Sequence, residues 1–230
     1  MPFNICLVKS WLVKVNNNLL VFFMLEIEWF NKPVEGSREL ILKEAFKLFL
    51  QKNVEKVTVP ELERVSKLRR GAIFYHFKNK EDIFKTSVEL YFFSPLNFLY
   101  QHNIDNINSI ESYWIKKNNH LNYIRNWFNN EQVSVDPFIG FFHIAWQANL
   151  YIPTFKKKMM ELLEADKDNW IRIISLELKC NVKASDIQYI GEFLRNIYLA
   201  KCFTNCLSNH DQWELFYFDE ISKIKELLLR

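Results

Sequence analysis

Val57-Thr58-Val59-Pro60-Glu61-Leu62-Glu63-Arg64-Val65-Ser66-Lys67-Leu68-Arg69-Arg70-Gly71-Ala72-Ile73-Phe74-Tyr75-His76-Phe77-Lys78-Asn79-Lys80 is the stretch on which the fold of this chain turns. Thr58 and Glu61 form a capping-box pattern, and Pro60 falls in the first turn of the helix they open, where a missing N–H costs little. A short helix is therefore predicted from Val59, with Val59, Leu62 and Val65 three apart as its apolar face. After Ser66-Lys67-Leu68 a second short helix is predicted over about Arg69 to His76, with Leu68, Ile73 and Phe77 turned inward. Arg69, Arg70, Gly71 and Ala72 lead that second helix. A helix that enters the DNA major groove needs small or polar residues in front and apolar ones behind. Two guanidinium groups can reach phosphates or a guanine edge, and Gly71 and Ala72 allow close approach.

Upstream, Ile41, Ala45, Leu48 and Phe49 recur at helical spacing between Arg38 and Lys52, with Leu42 and Phe46 widening the stripe and Ser37 as the expected cap. Downstream, Asn79 caps a fourth helix with Glu81 and Asp82 in its first turn. It is expected to run through Ile83, Phe84, Val88 and Tyr91 to about Phe93, before a break or kink at Pro95. Further helices are predicted near 107–129, 135–151, 154–180, 184–207 and 211–229. No segment alternates in the manner of a strand. The expected fold is all-α: an N-terminal extension over 1–33, a three-helix helix-turn-helix DNA-binding domain over 34–80, and a larger helical ligand-binding and dimerisation domain over 81–230.

The charge distribution agrees with that division. Ser37 to Lys80 holds eleven Lys and Arg against five Glu, a net +6 in a chain whose total is +3. A basic segment on an otherwise slightly acidic protein is the electrostatic footprint of a nucleic-acid-binding module, although a solvated charged face has the same composition. The run Leu19-Leu20-Val21-Phe22-Phe23-Met24-Leu25 follows Lys9 and Lys14 in the manner of a signal peptide. Glu26 and Glu28 interrupt it, no small-residue cleavage site follows, and it is shorter than the ~20 residues of a membrane span. Neither export nor membrane insertion is expected, and residues 1–23, ahead of Met24, are read as a candidate upstream extension that is not always translated.

Cys6, Cys180, Cys202 and Cys206 have neither disulfide-framework nor zinc spacing and read as small buried hydrophobes in a reduced, cytoplasmic setting. The five histidines, at 76, 102, 120, 143 and 210, are scattered. No serine elbow, Walker loop, dinucleotide fingerprint or paired-carboxylate motif is present, so neither an enzyme nor a cofactor or metal is expected.

On these residues the chain resembles the tetracycline-repressor (TetR) family of transcription regulators. Arg38-x-x-Ile41-Leu42-x-x-Ala45-x-x-Leu48-Phe49 looks like the family's first helix. Val57-Thr58-Val59, Leu62, Leu68, Gly71 and Ile73-Phe74-Tyr75-His76-Phe77-x-Asn79-Lys80-Glu81 resemble its reader and the start of its connecting helix. The match spans roughly residues 37–85. It implies that Thr58, Arg69, Tyr75, His76 and Lys80 contact the DNA backbone and that Arg70 and Ala72 lie nearest the bases; Lys67 and Gly71, beside them in the turn and at the head of the second helix, complete the expected DNA-binding set. Four positions depart from the family pattern. Asn53 stands where the family has Gly, and its tolerance of left-handed backbone is expected to keep the helix end. Lys67 replaces the turn Gly and Arg69 the Ser or Thr cap, adding charge at the expense of turn chemistry. Phe74 replaces a Tyr whose hydroxyl reaches a phosphate, and Tyr75 points about 100° away.

The resemblance also implies a homodimer on an operator in double-stranded DNA and a small-molecule effector. The expected dimer stripe is Ile187, Gly191, Leu194 and Tyr198 with Ile221 and Leu228; intramolecular packing is the alternative. For a small hydrophobic or aromatic ligand the candidates are Trp114, Trp127, Phe142, His143, Trp146, Gln147 and Trp170, although core packing is the simpler account of any one of them. The rival readings of the whole are an enzyme, and a helical small-molecule-binding or protein-interaction module that has lost specific DNA recognition.

Overall fold

The computed structural model describes residues 34–101, 104–178, 183–207 and 223. Among the described residues the regular structure is helical, without strands, as expected. The extension over 1–33 and the helix expected over 211–229 lie outside the described residues, apart from Lys223.

The first helix, α1, runs Gly36–Gln51 and buries Ile41, Leu42, Ala45, Phe46, Leu48, Phe49 and Leu50. Its cap position is Glu35, not Ser37, and carries no side-chain cap bond. Instead the Glu35 N–H donates to the Glu39 carboxylate at 2.8 Å, which places a negative charge at the positive helix end. At the other end Asn53 does not turn left-handed (φ −59, ψ 143). The side chain of Gln147 closes that end: its Nε2 donates to the Phe49 carbonyl at 3.2 Å, and its Oε1 accepts from the Val54 N–H at 2.5 Å. One distant amide thus pairs an open carbonyl in the last turn of α1 and the first N–H of the turn that follows it.

A single 3-10 turn, Val54–Lys56, leads to α2, Val59–Ser66, and α3, Arg70–His76. The next helix, α4, runs Lys80–Val88, with Asn79 as the predicted cap accepting from the Asp82 N–H. It does not break at Pro95. The chain widens into a π-turn over Glu89–Phe93 and continues as α5, Ser94–Gln101. Pro95 has no N–H to give the preceding turn, and a π-bulge is one way a helix absorbs that loss. The Glu89 carbonyl receives both the N–H of Ser94 and its hydroxyl, at 3.0 Å.

Four longer helices follow: α6, Ile110–Asn130; α7, Pro137–Tyr151; α8, Phe155–Glu177; and α9, Ala184–Leu207. Asp136 caps α7 by accepting from the N–H groups of Phe138 and Ile139, with Pro137 in the first position. The helix α1 packs on α2, α3, α4 and α7 and so ties the basic segment to the bundle. Phe46 is the centre of that joint, with ring centroids 5.3 Å from Tyr91, 6.2 Å from Trp127 and 6.3 Å from Phe141.

A second core lies between α6, α8 and α9, built on Tyr113, Trp114, Trp170, Ile173, Leu194 and Tyr198. At Gly191 an added Cβ would stand 2.8 Å from Cγ1 of Ile171, so the absence of a side chain is what lets α9 lie against α8. Inside this core Lys117 and Asp166 are both fully buried and paired at 2.5 Å. The Tyr113 hydroxyl donates to the same carboxylate at 2.7 Å, and the ammonium sits 4.0 Å from the Tyr198 ring centroid. Burial draws the lysine's proton affinity down while the adjacent Asp166 opposes that shift.

Candidate nucleic-acid interface and effector cavity

The two short helices of the reader are set by local chemistry. At the start of α2 the Thr58 N–H and hydroxyl both donate to the Glu61 carboxylate, at 2.9 and 3.0 Å, and the Glu61 N–H donates back to the Thr58 hydroxyl. A hydrogen bond from the Lys52 ammonium, with the Thr58 bonds, holds the Glu61 carboxyl down at about 2. The helix ends at Lys67, whose φ of 57° and ψ of 22° are left-handed. A side chain there carries a penalty that glycine avoids.

Arg69 occupies the cap position of α3 in extended conformation and makes no side-chain cap bond. The missing acceptor comes from the preceding helix, where the Glu63 carboxylate accepts the Arg70 N–H at 2.6 Å. Ile73 and Phe77 are buried as predicted, and Arg38 lies over the Phe77 ring at 5.3 Å. Lys67, Arg69, Arg70, Gly71 and Tyr75 are exposed, with Tyr75 at 85 % of its free surface. Ala72 and His76 are half-buried. Around Gly71 no atom lies within 4 Å of where a Cβ would be. The Arg70 guanidinium rests over the Phe74 ring at 5.6 Å, so the residue that lacks the family hydroxyl serves as a platform for the arginine.

The cations of this surface divide into those paired with carboxylates and those that are not. Lys43 and Lys47 are engaged by Glu131, and Lys52 by Glu61. Among the described residues Lys67, Arg69, Arg70 and Lys78 have no carboxylate partner, and all four are exposed. Lys80 is partly committed, donating to the Glu55 carbonyl at 3.1 Å; two further N–H bonds remain to it. An exposed helix edge with this charge and an apolar back can lie along duplex phosphates and present Arg70 to base edges.

The candidate ligand residues do not come together. Trp127 is locked in the joint with Phe46 and Tyr91, and Trp114 and Trp170 pack on each other in the second core. Gln147 is spent on the end of α1. Trp146 is 71 % exposed, and His143 does not line the cavity between the helices of the bundle. Phe142 does. That cavity, about 170 Å³, lies between the π-turn and α5 through α9, with Phe92, Leu99, Ile124, Phe138, Phe141 and Met159 among its walls.

His120, on α6, also faces the cavity and was not singled out by the sequence. It is buried, and among the described residues neither ring nitrogen has a hydrogen-bond partner. Burial, with Lys116 and Lys117 nearby, pulls the imidazole down to about 3, so at neutral pH one nitrogen donates and the other accepts. Cys202, also buried, lines the same cavity. Among the described residues no group of three or more His, Cys, Asp and Glu is placed to hold a metal ion, and no helix is long and apolar enough to cross a membrane.

The expected dimer stripe also changes. Leu194 and Tyr198 are buried inside the chain, Ile187 packs on the same cluster, and Gly191 faces Ile171. Hydrophobic spacing on α9 marks the face turned to α8. Ile221 and Leu228 lie outside the described residues. The other face of α9 exposes Tyr189 and Phe193, whose rings stack at 6.4 Å, and Phe203, edge-on to Phe142 of α7 at 5.6 Å.

A family model described as bacterial regulatory proteins, tetR family, matches residues 41–86. The chain is similar to the biofilm operon icaADBC HTH-type negative transcriptional regulator IcaR of Staphylococcus epidermidis, 29 % identical over 30 % of this chain and 37 % of that protein. It is similar to the HTH-type transcriptional regulator AcrR of Shigella flexneri, 39 % identical over 26 % of this chain and 27 % of that protein. The similarity thus spans about a third of the length of these relatives, or less. A solved transcriptional regulator of the TetR family from Cytophaga hutchinsonii has a TM-score of 0.49 at 16 % identity, covering 86 % of this chain and 96 % of that one.

Proposed function

We propose that this chain, whose residues 41–86 match the model of the tetR family of bacterial regulatory proteins, is a sequence-specific DNA-binding transcription regulator of that family. It acts as a repressor that a small hydrophobic effector releases from its operator. The observation that carries the reading is the exposed edge Lys67, Arg69, Arg70, Gly71 and Tyr75 on a rigidly capped helix pair. Lys67, Arg69, Tyr75, His76 and Lys80 serve as phosphate contacts, and Arg70, with Ala72 beside it, reads bases. Thr58, whose hydroxyl donates to the Glu61 carboxylate and accepts from the Glu61 N–H, retains one lone pair and positions α2 on the backbone.

A single reader covers too little DNA for selectivity, and a two-fold dimer with readers about 34–36 Å apart is the arrangement that matches one turn of duplex. The outer face of α9, with Tyr189 and Phe193, and the neighbouring Phe142 and Trp146 of α7 support a self-complementary interface. Effector binding in the cavity acts on the reader through Phe92 of the π-turn, which touches the cavity and continues directly from α4. The ligand shifts the population between two reader spacings by binding one of them more tightly. Acting on bacterial DNA, the protein works in the cytoplasm, and the reading assigns it no catalysis.

The test is a salt-dependent gel shift on duplex DNA from immediately upstream of the chain's own gene. A discrete complex that survives competitor DNA, with log affinity falling linearly in log salt, is the expected result. Equal affinity for that DNA and a random duplex would leave the rival, a helical module without specific recognition. Light scattering of a monomer at micromolar concentration would remove the dimer.

A further inference from the structure

We propose that the cavity takes an uncharged, single-ring aromatic molecule carrying one hydroxyl, a phenol-class ligand whose polar group is held by His120. The inference deepens the effector reading above and depends on it only for the consequence at DNA.

Size sets the first limit. A cavity of about 170 Å³ is close to the ~150 Å³ that accommodates benzene in an apolar protein interior. The walls set the second. Phe92, Phe138 and Phe141 offer ring faces and edges to an aromatic guest, with no exposed charge among the lining residues.

His120 sets the third. A buried imidazole whose two nitrogens find no partner among the described residues carries a standing desolvation cost, and a ligand relieves it by drawing the ring, which lines the cavity, toward itself. A hydroxyl both gives and accepts, so it satisfies either tautomer; a hydrocarbon satisfies neither. A carboxylate would match only the donating nitrogen and would have to leave water for an apolar wall. The nearby Lys117 offers it little, because Asp166 already neutralises that ammonium at 2.5 Å. A cationic amine would be repelled by Lys116 and would lose its hydration as well.

Isothermal titration of the full chain with phenol, benzene and benzoate tests this. Phenol is expected to bind about tenfold more tightly than benzene, and benzoate more weakly than either. In His120→Leu, phenol should fall to the benzene level while benzene is unchanged. The wild-type comparison alone decides if that variant does not fold. Benzoate binding most tightly, phenol and benzene binding equally, or none of the three binding would each overturn the proposal. Phenol binding without release of DNA leaves the inference standing and removes the effector reading. Specific DNA binding by a chain that takes up none of the probes does the reverse.

Discussion

The backbone N–H of Arg70 donates to the side chain of Glu63 at 2.6 Å, so the reading helix is capped by the helix before it. Arg69 at the cap position supplies no acceptor of its own, and Glu63 bridges the turn at Lys67. Glu63→Ala is expected to cost about 1 kcal/mol, the usual loss for a removed N-cap acceptor, and Glu63→Gln less, since its amide oxygen can still accept. Urea unfolding of the two variants measures this. Equal midpoints for wild type and Glu63→Ala would show the bond to be without weight.

Lys67 is a charged residue in a left-handed turn, where glycine would be unstrained. Lys67→Gly is expected to stabilise the fold by up to about 1 kcal/mol, since the left-handed penalty for a side chain outweighs glycine's extra chain entropy. The same change removes one cation from the reader's edge, so the slope of log affinity against log salt should fall by about one unit. Thermal unfolding and a salt series on one operator fragment check both. A loss of stability would mean the turn is not held in this conformation.

What the sequence made legible was local. The capping box at Thr58 and Glu61, the Asn79 cap and the buried stripe of α1 all lie within one helical turn of the residues they govern, and each was read. Contacts across long sequence separations were not. Gln147 closes a helix that ends almost a hundred residues earlier, and Lys117 finds Asp166 on another helix. Along α7 the run from Phe138 to Trp146 is apolar apart from His143, so its helical phase cannot be read. That is why Phe141 turns inward and Trp146 outward without any warning in the sequence. His120 lacked a signal of its own, because a histidine on a largely buried helix has the same pattern whether or not a cavity lies beside it.

Gly71 separates folding from recognition. Nothing stands within 4 Å of the position a Cβ would take, and α3 is regular there, so Gly71→Ala should raise stability by about 0.5–1 kcal/mol. If the helix enters the groove with this residue leading, the added methyl meets DNA and operator affinity drops. Paired unfolding and gel-shift measurements give the answer. Unchanged affinity in a stabilised variant would place Gly71 away from the duplex.

The Glu61 carboxyl, with an ordinary value of 4.5, is held at about 2 in the folded chain by Lys52 and Thr58. Its folded-state value is depressed, so the unfolded chain binds the proton first, and the stabilisation is complete above about 4.5 and lost as pH falls toward about 2. Glu61→Gln keeps a capping partner for Thr58 but has no proton to bind. The stability difference between wild type and Glu61→Gln should therefore shrink through that acid window. A difference constant with pH would remove the Lys52 contact as its source.

Asp166 and Lys117 make the strongest demand on stability. Both are fully buried, and Asp166 serves Lys117 and Tyr113 together. Asp166→Asn would leave an ammonium in an aromatic interior without its anion, a change that costs about 3–5 kcal/mol when a buried pair is broken. The joint replacement Lys117→Met with Asp166→Leu removes both desolvation penalties and should recover most of that loss, because apolar side chains of similar length pack where the pair stood. A double-mutant cycle by urea unfolding resolves the two cases. Single variants that each cost less than about 1 kcal/mol would mean that water reaches the pair, since only a solvated ion pair is worth so little.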